Sequence, residues 1–152
     1  MGADERLAEL GLELPPLPKP LASYVPVVVS GSLAFVSGQV PLVDGVMVHP
    51  GEVGSEVGTE EAAEAARRCA LQALSALQSE LGSLDSVTRI VRLDVYVASA
   101  PGFIEQPAVA NGASDLLVEV FGDAGKHVRA AVGVKELPLD APVEVVLTAE
   151  IG

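Results

Sequence analysis

The chain has 152 residues, of which 49% are hydrophobic and 20% are charged, and 21 acidic residues against 9 basic ones give a net charge of −12. This length suits one domain with a substantial core. The negative charge argues against a dedicated nucleic-acid binder, because affinity for nucleic acid depends on Lys and Arg side chains that neutralise phosphates.

The first 22 residues are predicted to form an N-terminal arm, and residues 23–152 a single domain. Asp4–Leu10 is predicted to be a short helix that ends at Gly11. Four prolines then favour an extended, polyproline-like path; they are Pro15, Pro16, Pro18 and Pro20. We expect the arm to lie on the body of its own chain or on a neighbouring subunit.

Short β-rich runs follow the arm. Tyr24–Ser30 and Leu33–Ser37 are separated by Gly31-Ser32, a pair typical of a hairpin turn. Asp44-Gly45 is a second turn pair, and a brief third strand is predicted at Val46–His49.

Two helices are predicted in the middle of the chain. The first begins with Thr59 as its N-cap and runs to Leu81, before Gly82. One narrow, Ala-rich face of it should sit close to a sheet; this face consists of Ala62, Ala66, Cys69, Ala70, Ala73, Leu77 and Leu81. The second helix runs from Gln106-Pro107 to Phe121, with the proline in its first turn.

A long strand, Val87–Ser99, is predicted between the helices, and two further strands close the chain. These two, Val128–Val134 and a strand from Val143 onward, are predicted to pair as a β-hairpin. Arg129 and Glu144 would then lie side by side on adjacent strands. Such a pair is either an ordinary cross-strand ion pair at a sheet edge or a charged site with a task.

The predicted order is therefore β-β-(β)-α-β-α-β-β, an α+β fold in which two helices cover one face of a single sheet. The other face is also apolar and has to pack against something, and three copies around an axis would cover it. The chain carries charges where a signal peptide has its apolar segment, has one cysteine, and has no apolar run near the ~20 residues of a membrane span. We expect a cytoplasmic protein.

Other sites are not indicated by the sequence. His49 and His127 are the only histidines and neither is spaced with other metal ligands, so no metal is expected. No phosphate-binding glycine motif is present, and Ser37 lacks the surroundings of a serine nucleophile. Ser37 is either a hydroxyl that orients a bound group or a turn residue.

Four local motifs together resemble one family, the reactive-intermediate deaminases (RidA), long called the YjgF family. Val36–Pro41 is similar to its SGQ-x-P segment, and RAAVGVKELP from Arg129 resembles its R-x-x-V-x-V-x-x-L-P signature, with Glu144 at the matching spacing. Tyr24 and Asn111 fall where the family has a pocket tyrosine and a helix asparagine. The resemblance covers about Tyr24 to Glu150.

The resemblance implies a chorismate mutase-like homotrimer with pockets at the subunit boundaries. It implies hydrolysis of enamines and imines such as 2-aminoacrylate to a 2-keto acid and ammonia, with no cofactor. Arg129 would bind the substrate carboxylate through two hydrogen bonds, and Glu144 would hold or deprotonate the attacking water. Proximity to Arg129 should favour the ionised form of Glu144.

The remaining pocket residues would bind and enclose the substrate. Backbone N–H groups near Gly38 and Ala131 would bind developing charge, and Tyr24 and Ser37 would come from a neighbouring subunit. Asn111 and His127 complete the predicted substrate-binding set. Three positions depart from the family pattern, and they are Ala131, Ser114 and Gly133.

Three other functions remain open from the sequence. A non-catalytic trimer on the same fold could bind small carboxylates or a partner. Endoribonuclease activity, a label attached to this family, has poor electrostatic grounds in a chain of charge −12. Chorismate mutase activity would need further cations beside Arg129.

Overall fold

The computed structural model describes residues 1–17 and 23–152, where two long helices pack on one face of a five-stranded sheet. The long helices are α2 (Thr59–Leu81) and α3 (Gln106–Phe121), and a short helix, α1 (Ala3–Glu9), precedes them. The strands are β1 (Val27–Ser30), β2 (Leu33–Gln39), β3 (Leu42–Val43), β4 (Val46–Met47), β5 (Val87–Ala98), β6 (Val128–Val134) and β7 (Val143–Ile151). The predicted α+β class and its layer arrangement are confirmed.

The helices lie close to the sheet and to each other because their contact faces are small. The predicted face of α2 is buried except at Leu81, which is partly buried. A methyl group on Gly112 of α3 would lie 1.9 Å from the carbonyl oxygen of Ala63 on α2. The N-cap of α2 is Gly58 rather than Thr59, and the Gly58 amide donates to the Glu61 carboxylate at 3.0 Å.

Both predicted turns are present. Gly31 has a positive φ in the turn between β1 and β2, and the pair Asp44-Gly45, with φ of 51° and 78°, joins β3 to β4. Positive φ at both central residues is typical of the tight hairpin turn. The single brief strand predicted at Val46–His49 is instead one half of a separate two-stranded sheet.

The predicted pairing of the last two strands is wrong. The strand order is β1-β2-β7-β5-β6, so β5 lies between β6 and β7. Helix α3 connects β5 to β6 as a crossover, which makes these two strands parallel and places β6 at the edge of the sheet. β7 is then the antiparallel neighbour of both β2 and β5.

The face of the sheet opposite the helices is largely apolar. Phe35, which is 43% exposed, lies in register with Val28 on one side and Thr148 on the other. The edge strand adds Val128 and Val132, which are 61% and 44% exposed.

Residues 3–17 pack on the body of their own chain, and Leu12, Leu14 and Leu17 lie against its core. Leu7 is 4% exposed, and the Asp4 carboxylate accepts hydrogen bonds from Gln78, Ser83 and the Leu84 amide. The predicted polyproline path includes Pro18 and Pro20, which lie outside the described residues. Within the described ranges, no helix is both long and apolar enough to cross a membrane.

Candidate active site

Arg129 is exposed on the edge strand β6 and points toward the helices. It is in register with Leu93, a buried residue of the helix-covered face. Its Nη1 atom donates to Asn111 Oδ1 at 2.8 Å and to Ser114 Oγ at 3.2 Å. Asn111 and Ser114 lie one turn apart on α3, so one face of the helix fixes the guanidinium.

His127 extends this cluster behind Ser114. Its Nε2 lies 2.9 Å from Ser114 Oγ, and its Nδ1 lies 2.6 Å from the carbonyl oxygen of Gly125. Both ring nitrogens are therefore engaged within the chain. In the sequence, Ser114 stands out only as a departure from the family pattern. Its spacing of three residues from Asn111 on a helix was the signal for a place beside Arg129.

Glu144 lies on the opposite face of the sheet, next to a β-bulge. The register between β2 and β7 shifts between Val36 and Gln39, which leaves one extra residue on β2. The Glu144 carboxylate occupies the space beside Gly38, where an added Cβ would lie 2.5 Å from Oε2. The absence of a side chain at Gly38 is what admits the carboxylate.

Ser37 and Tyr24 belong to the same end of the sheet as Glu144. Ser37 Oγ donates to the Val25 carbonyl at 2.7 Å, and the Ser37 amide donates to the Pro26 carbonyl at 2.8 Å. These bonds tie the segment before β1 to the bulge. Tyr24 lies in that segment with 55% of its surface exposed. Ser37 thus holds the backbone directly after Tyr24.

The predicted proximity of Arg129 and Glu144 within one chain is wrong. Glu144 is in register with Tyr96 and Arg129 with Leu93, on opposite sides of β5. Two strand spacings and three residues of offset separate their Cα atoms by roughly 14 Å. Moreover, Arg129 lies on the helix-covered face with Ala131, whereas Glu144 lies on the open face. Within one chain the candidate residues therefore form two separate clusters, called candidate half-sites below: Arg129 with Asn111 and Ser114, and Glu144 with Gly38 and Ser37.

The electrostatic state of Glu144 also differs from the expectation. Burial raises the pKa of the Glu144 carboxyl above its ordinary value, because desolvation disfavours the charged form. The sequence predicted that Arg129 would favour ionisation, and the separation of the two residues explains the difference. A carboxylate with a raised pKa is a stronger base than an exposed glutamate.

Metal ligands do not cluster in the part of the chain that the structure describes, where no group of three or more His, Cys, Asp or Glu could hold an ion. Cys69 is fully buried, and desolvation raises the pKa of its thiol well above its ordinary value. It is therefore a core residue rather than a reactive thiol.

Comparison with known proteins places this fold in one class, the YjgF/chorismate mutase-like proteins. The sequence matches the family described as "YjgF/chorismate_mutase-like, putative endoribonuclease" over residues 4–151. The chain belongs to this family. The match spans both half-sites and all of α1 except its first residue, Ala3.

Several relatives are similar over nearly the whole chain. Protein TCP17 of Trypanosoma cruzi is 47% identical over 146 residues, covering 95% of this chain and 91% of its own length. Atu1372 of Agrobacterium tumefaciens, described as a protein of unknown function, has a crystal structure with a TM-score of 0.92, 42% identity and coverage of 99% and 92%. A protein from Shewanella oneidensis, described as "a putative endoribonuclease", gives a TM-score of 0.95 at 34% identity and coverage of 99% and 100%.

A more distant protein, TdcF of Escherichia coli, shares the fold with a TM-score of 0.64 at 22% identity, covering 90% of this chain and 94% of its own. Its crystal structure contains bound serine.

Proposed function

We propose that this protein is a cofactor-independent deaminase that hydrolyses small 2-imino acids and their enamine tautomers to 2-keto acids and ammonia. The observation that carries the proposal is the state of Arg129. Among the described residues it has no acidic partner within ion-pair distance, although the chain has 21 acidic residues. Neutral groups hold it instead, which keeps its positive charge available to an anionic ligand.

The chemistry assigns a different task to each half-site. Arg129 binds the substrate carboxylate and so orients the C=N carbon. Glu144 removes a proton from the attacking water as the water oxygen bonds to that carbon, and it passes this proton to the imine nitrogen. The resulting carbinolamine loses ammonia as the C–N bond breaks and the C=O bond forms. Each of these steps balances with water alone.

The two half-sites are brought together in this proposal by a second copy of the chain. Arg129 lies on an edge strand, and Glu144 faces the open apolar surface, so both sit where another subunit would contact this one. A homotrimer with a pocket at each boundary supplies Arg129 and Asn111 from one chain. Tyr24, Ser37, Gly38 and Glu144 come from its neighbour.

The direct test is ammonia release from freshly generated 2-aminoacrylate. The wild-type protein should accelerate release, and Arg129→Ala should lose at least about tenfold in kcat/KM through the lost charge-assisted hydrogen bonds. Arg129→Lys should also be impaired, since an ammonium group cannot make the same two-pronged contact. Arg6→Ala, which removes a surface arginine on α1, is the matched control. Equal rates for wild type and Arg129→Ala would overturn the proposal.

A second candidate function is binding of a small amino or keto acid without catalysis. The bound serine in TdcF favours it, since serine carries the carboxylate that Arg129 is suited to hold. In that case a small acid would bind to wild type and not to Arg129→Ala, while ammonia release would equal the uncatalysed rate. Ribonuclease activity has less support, because a chain with a net charge of −12 repels RNA at long range.

A further inference from the structure

Arg129, Ser114 and His127 form one continuous chain of hydrogen bonds that ends on the backbone at Gly125. The links run from Arg129 Nη1 to Ser114 Oγ at 3.2 Å, from Ser114 Oγ to His127 Nε2 at 2.9 Å, and from His127 Nδ1 to the Gly125 carbonyl at 2.6 Å. None of these residues except Arg129 has a role in the proposed hydrolysis.

The direction of each bond follows from the donors and acceptors available. A carbonyl oxygen only accepts, so His127 Nδ1 carries the proton and donates to Gly125. In the neutral imidazole Nε2 is then an acceptor, and it takes the Ser114 hydroxyl proton. The Ser114 oxygen in turn accepts from Arg129 Nη1. The imidazole thus fixes the hydroxyl with its lone pairs toward the arginine.

The anchor of this chain is rigid. Gly125 is buried, and an added Cβ there would lie 2.2 Å from the carbonyl oxygen of Leu117 on α3. The backbone of Gly125 is therefore packed directly against the backbone of α3. Because Ser114 belongs to the same helix, both ends of the His127 contact are tied to one element.

The consequence for Arg129 is geometric. Nη1 has two hydrogens, and Asn111 and Ser114 accept both. Within the described residues this leaves the Nε and Nη2 hydrogens, which lie along one side of the guanidinium and match the two oxygens of a carboxylate. A guanidinium held at one nitrogen by two acceptors cannot rotate without breaking both bonds.

We propose that Ser114 and His127 are positioning residues that hold Arg129 so that its Nε–Nη2 edge faces the substrate carboxylate. This inference rests on the proposed function only in assigning a carboxylate to Arg129. Ser114 acts on the arginine directly, and His127 acts through Ser114. Neither residue touches the reacting atoms.

The test combines Ser114→Ala, His127→Ala and the double variant with two measurements, the dissociation constant for pyruvate by calorimetry and KM and kcat for ammonia release. Each single variant should weaken pyruvate binding and raise KM by about tenfold, the usual effect of losing a hydrogen bond to a charged group, with kcat little changed. The double variant should lose no more than Ser114→Ala alone, because His127 acts only through the hydroxyl.

The controls separate positioning from folding. Ser114→Thr keeps the hydroxyl and should restore binding, and His127→Gln, which keeps a donor and an acceptor, covers the case in which His127→Ala fails to fold. His49→Ala removes the other histidine, which contacts Glu61 and Glu64 on α2, and should leave pyruvate affinity unchanged.

The outcomes distinguish this inference from the proposed hydrolysis. Losses that multiply in the double variant, or unchanged pyruvate affinity in Ser114→Ala, would overturn the positioning role even if ammonia release depends on Arg129. Binding that depends on Ser114 and His127 in a protein without deaminase activity would support the positioning role and overturn the hydrolysis. If wild type does not bind pyruvate, the positioning role is wrong.

Discussion

Glu144 lies at a position that is unfavourable for an ionised carboxylate. It is half-buried beside the β-bulge, and desolvation raises the pKa of its carboxyl. A buried carboxylate without a paired cation destabilises a fold at neutral pH. In the proposed reaction this cost supplies a base that accepts a proton from water more readily than an exposed glutamate does.

Glu144→Gln should therefore stabilise the protein at neutral pH. The folded-state pKa lies above the unfolded-state value, so the folded state binds more protons between the two values, and stability falls as pH rises through that window. The variant lacks this loss. Its melting temperature should exceed that of wild type at pH 7, and the difference should shrink below the ordinary glutamate pKa. A difference that is independent of pH would contradict the assignment.

Gly38→Ala should displace the same carboxylate without removing it. The new methyl would lie 2.5 Å from Glu144 Oε2, so the side chain has to move. A misplacement of about 1 Å in a catalytic group costs on the order of a hundredfold in rate. We expect that loss in kcat for ammonia release, with pyruvate affinity retained because Arg129 is untouched. Wild-type kcat in this variant would show that Glu144 is not the base.

At the scale of elements, α3 does two things at once. One face packs against α2 and the sheet, and the edge of that face presents Asn111 and Ser114 to Arg129. Between these two residues lies Gly112, where the α3 backbone meets α2. The depth at which α3 packs therefore sets the position of the residues that hold the guanidinium.

Gly112→Ala should destabilise the fold, because its Cβ would lie 1.9 Å from the Ala63 carbonyl oxygen and the two helices would have to separate. Overpacking of this kind typically costs about 1–3 kcal/mol. Val118→Ala, on the exposed side of α3, should change the free energy of unfolding by less than about 0.5 kcal/mol. Urea denaturation of both variants measures this, and equal midpoints would contradict the close contact.

The helices could be predicted from sequence because periodicity, Pro107 and the flanking glycines are local signals. The position of β5 between β6 and β7 could not be predicted in this way. Both β6 and β7 are apolar, and no local sequence signal indicates which strands are their neighbours. One signal was available: residues 135–142 form a connection longer than the usual two to five residues of a hairpin loop.

In the candidate site, too, the features that depend on local sequence could be predicted, and those that depend on strand order could not. The motifs around Arg129, Ser37 and Glu144 identified residues that lie close to strand ends and bulges. The positions of strand ends and bulges depend on local sequence. Which of them share a face depends on strand order, and the expected contact between Arg129 and Glu144 failed for that reason. Ser114 was missed as a contact of Arg129 because its role depends on the crossover that brings α3 beside β6.

At the scale of the whole molecule, the open face of the sheet leaves apolar side chains exposed. Phe35, Val128 and Val132 are exposed on one surface, which also carries the ion pair between Arg92 and Asp94 at 3.0 Å. A contiguous surface of this kind is typical of a subunit interface. In the proposed assembly, covering this face also joins the Arg129 half-site of one chain to the Glu144 half-site of the next.

Shared sites predict that two inactive variants restore each other. Arg129→Ala and Glu144→Gln each lack one half-site, and each alone should keep only a small fraction of wild-type activity. When they are co-expressed or refolded together, a mixed trimer contains boundaries at which both intact residues meet. With random assembly of equal amounts, about a quarter of all boundaries carry Arg129 and Glu144 together, so about a quarter of wild-type kcat should return.

The matched control keeps both changes on one chain. The double variant Arg129→Ala, Glu144→Gln, mixed with wild type in equal amounts, should give about a quarter of intact boundaries as well, against a half if each chain carried its own complete site.

Phe35→Asp, which places a charge on the open face, should reduce the proposed assembly from three chains of 15.5 kDa to one and abolish activity. Val46→Asp lies outside the five-stranded sheet and should change neither. Activity in monomeric Phe35→Asp, or no restoration on mixing the single variants, would show that the half-sites do not meet across a subunit boundary.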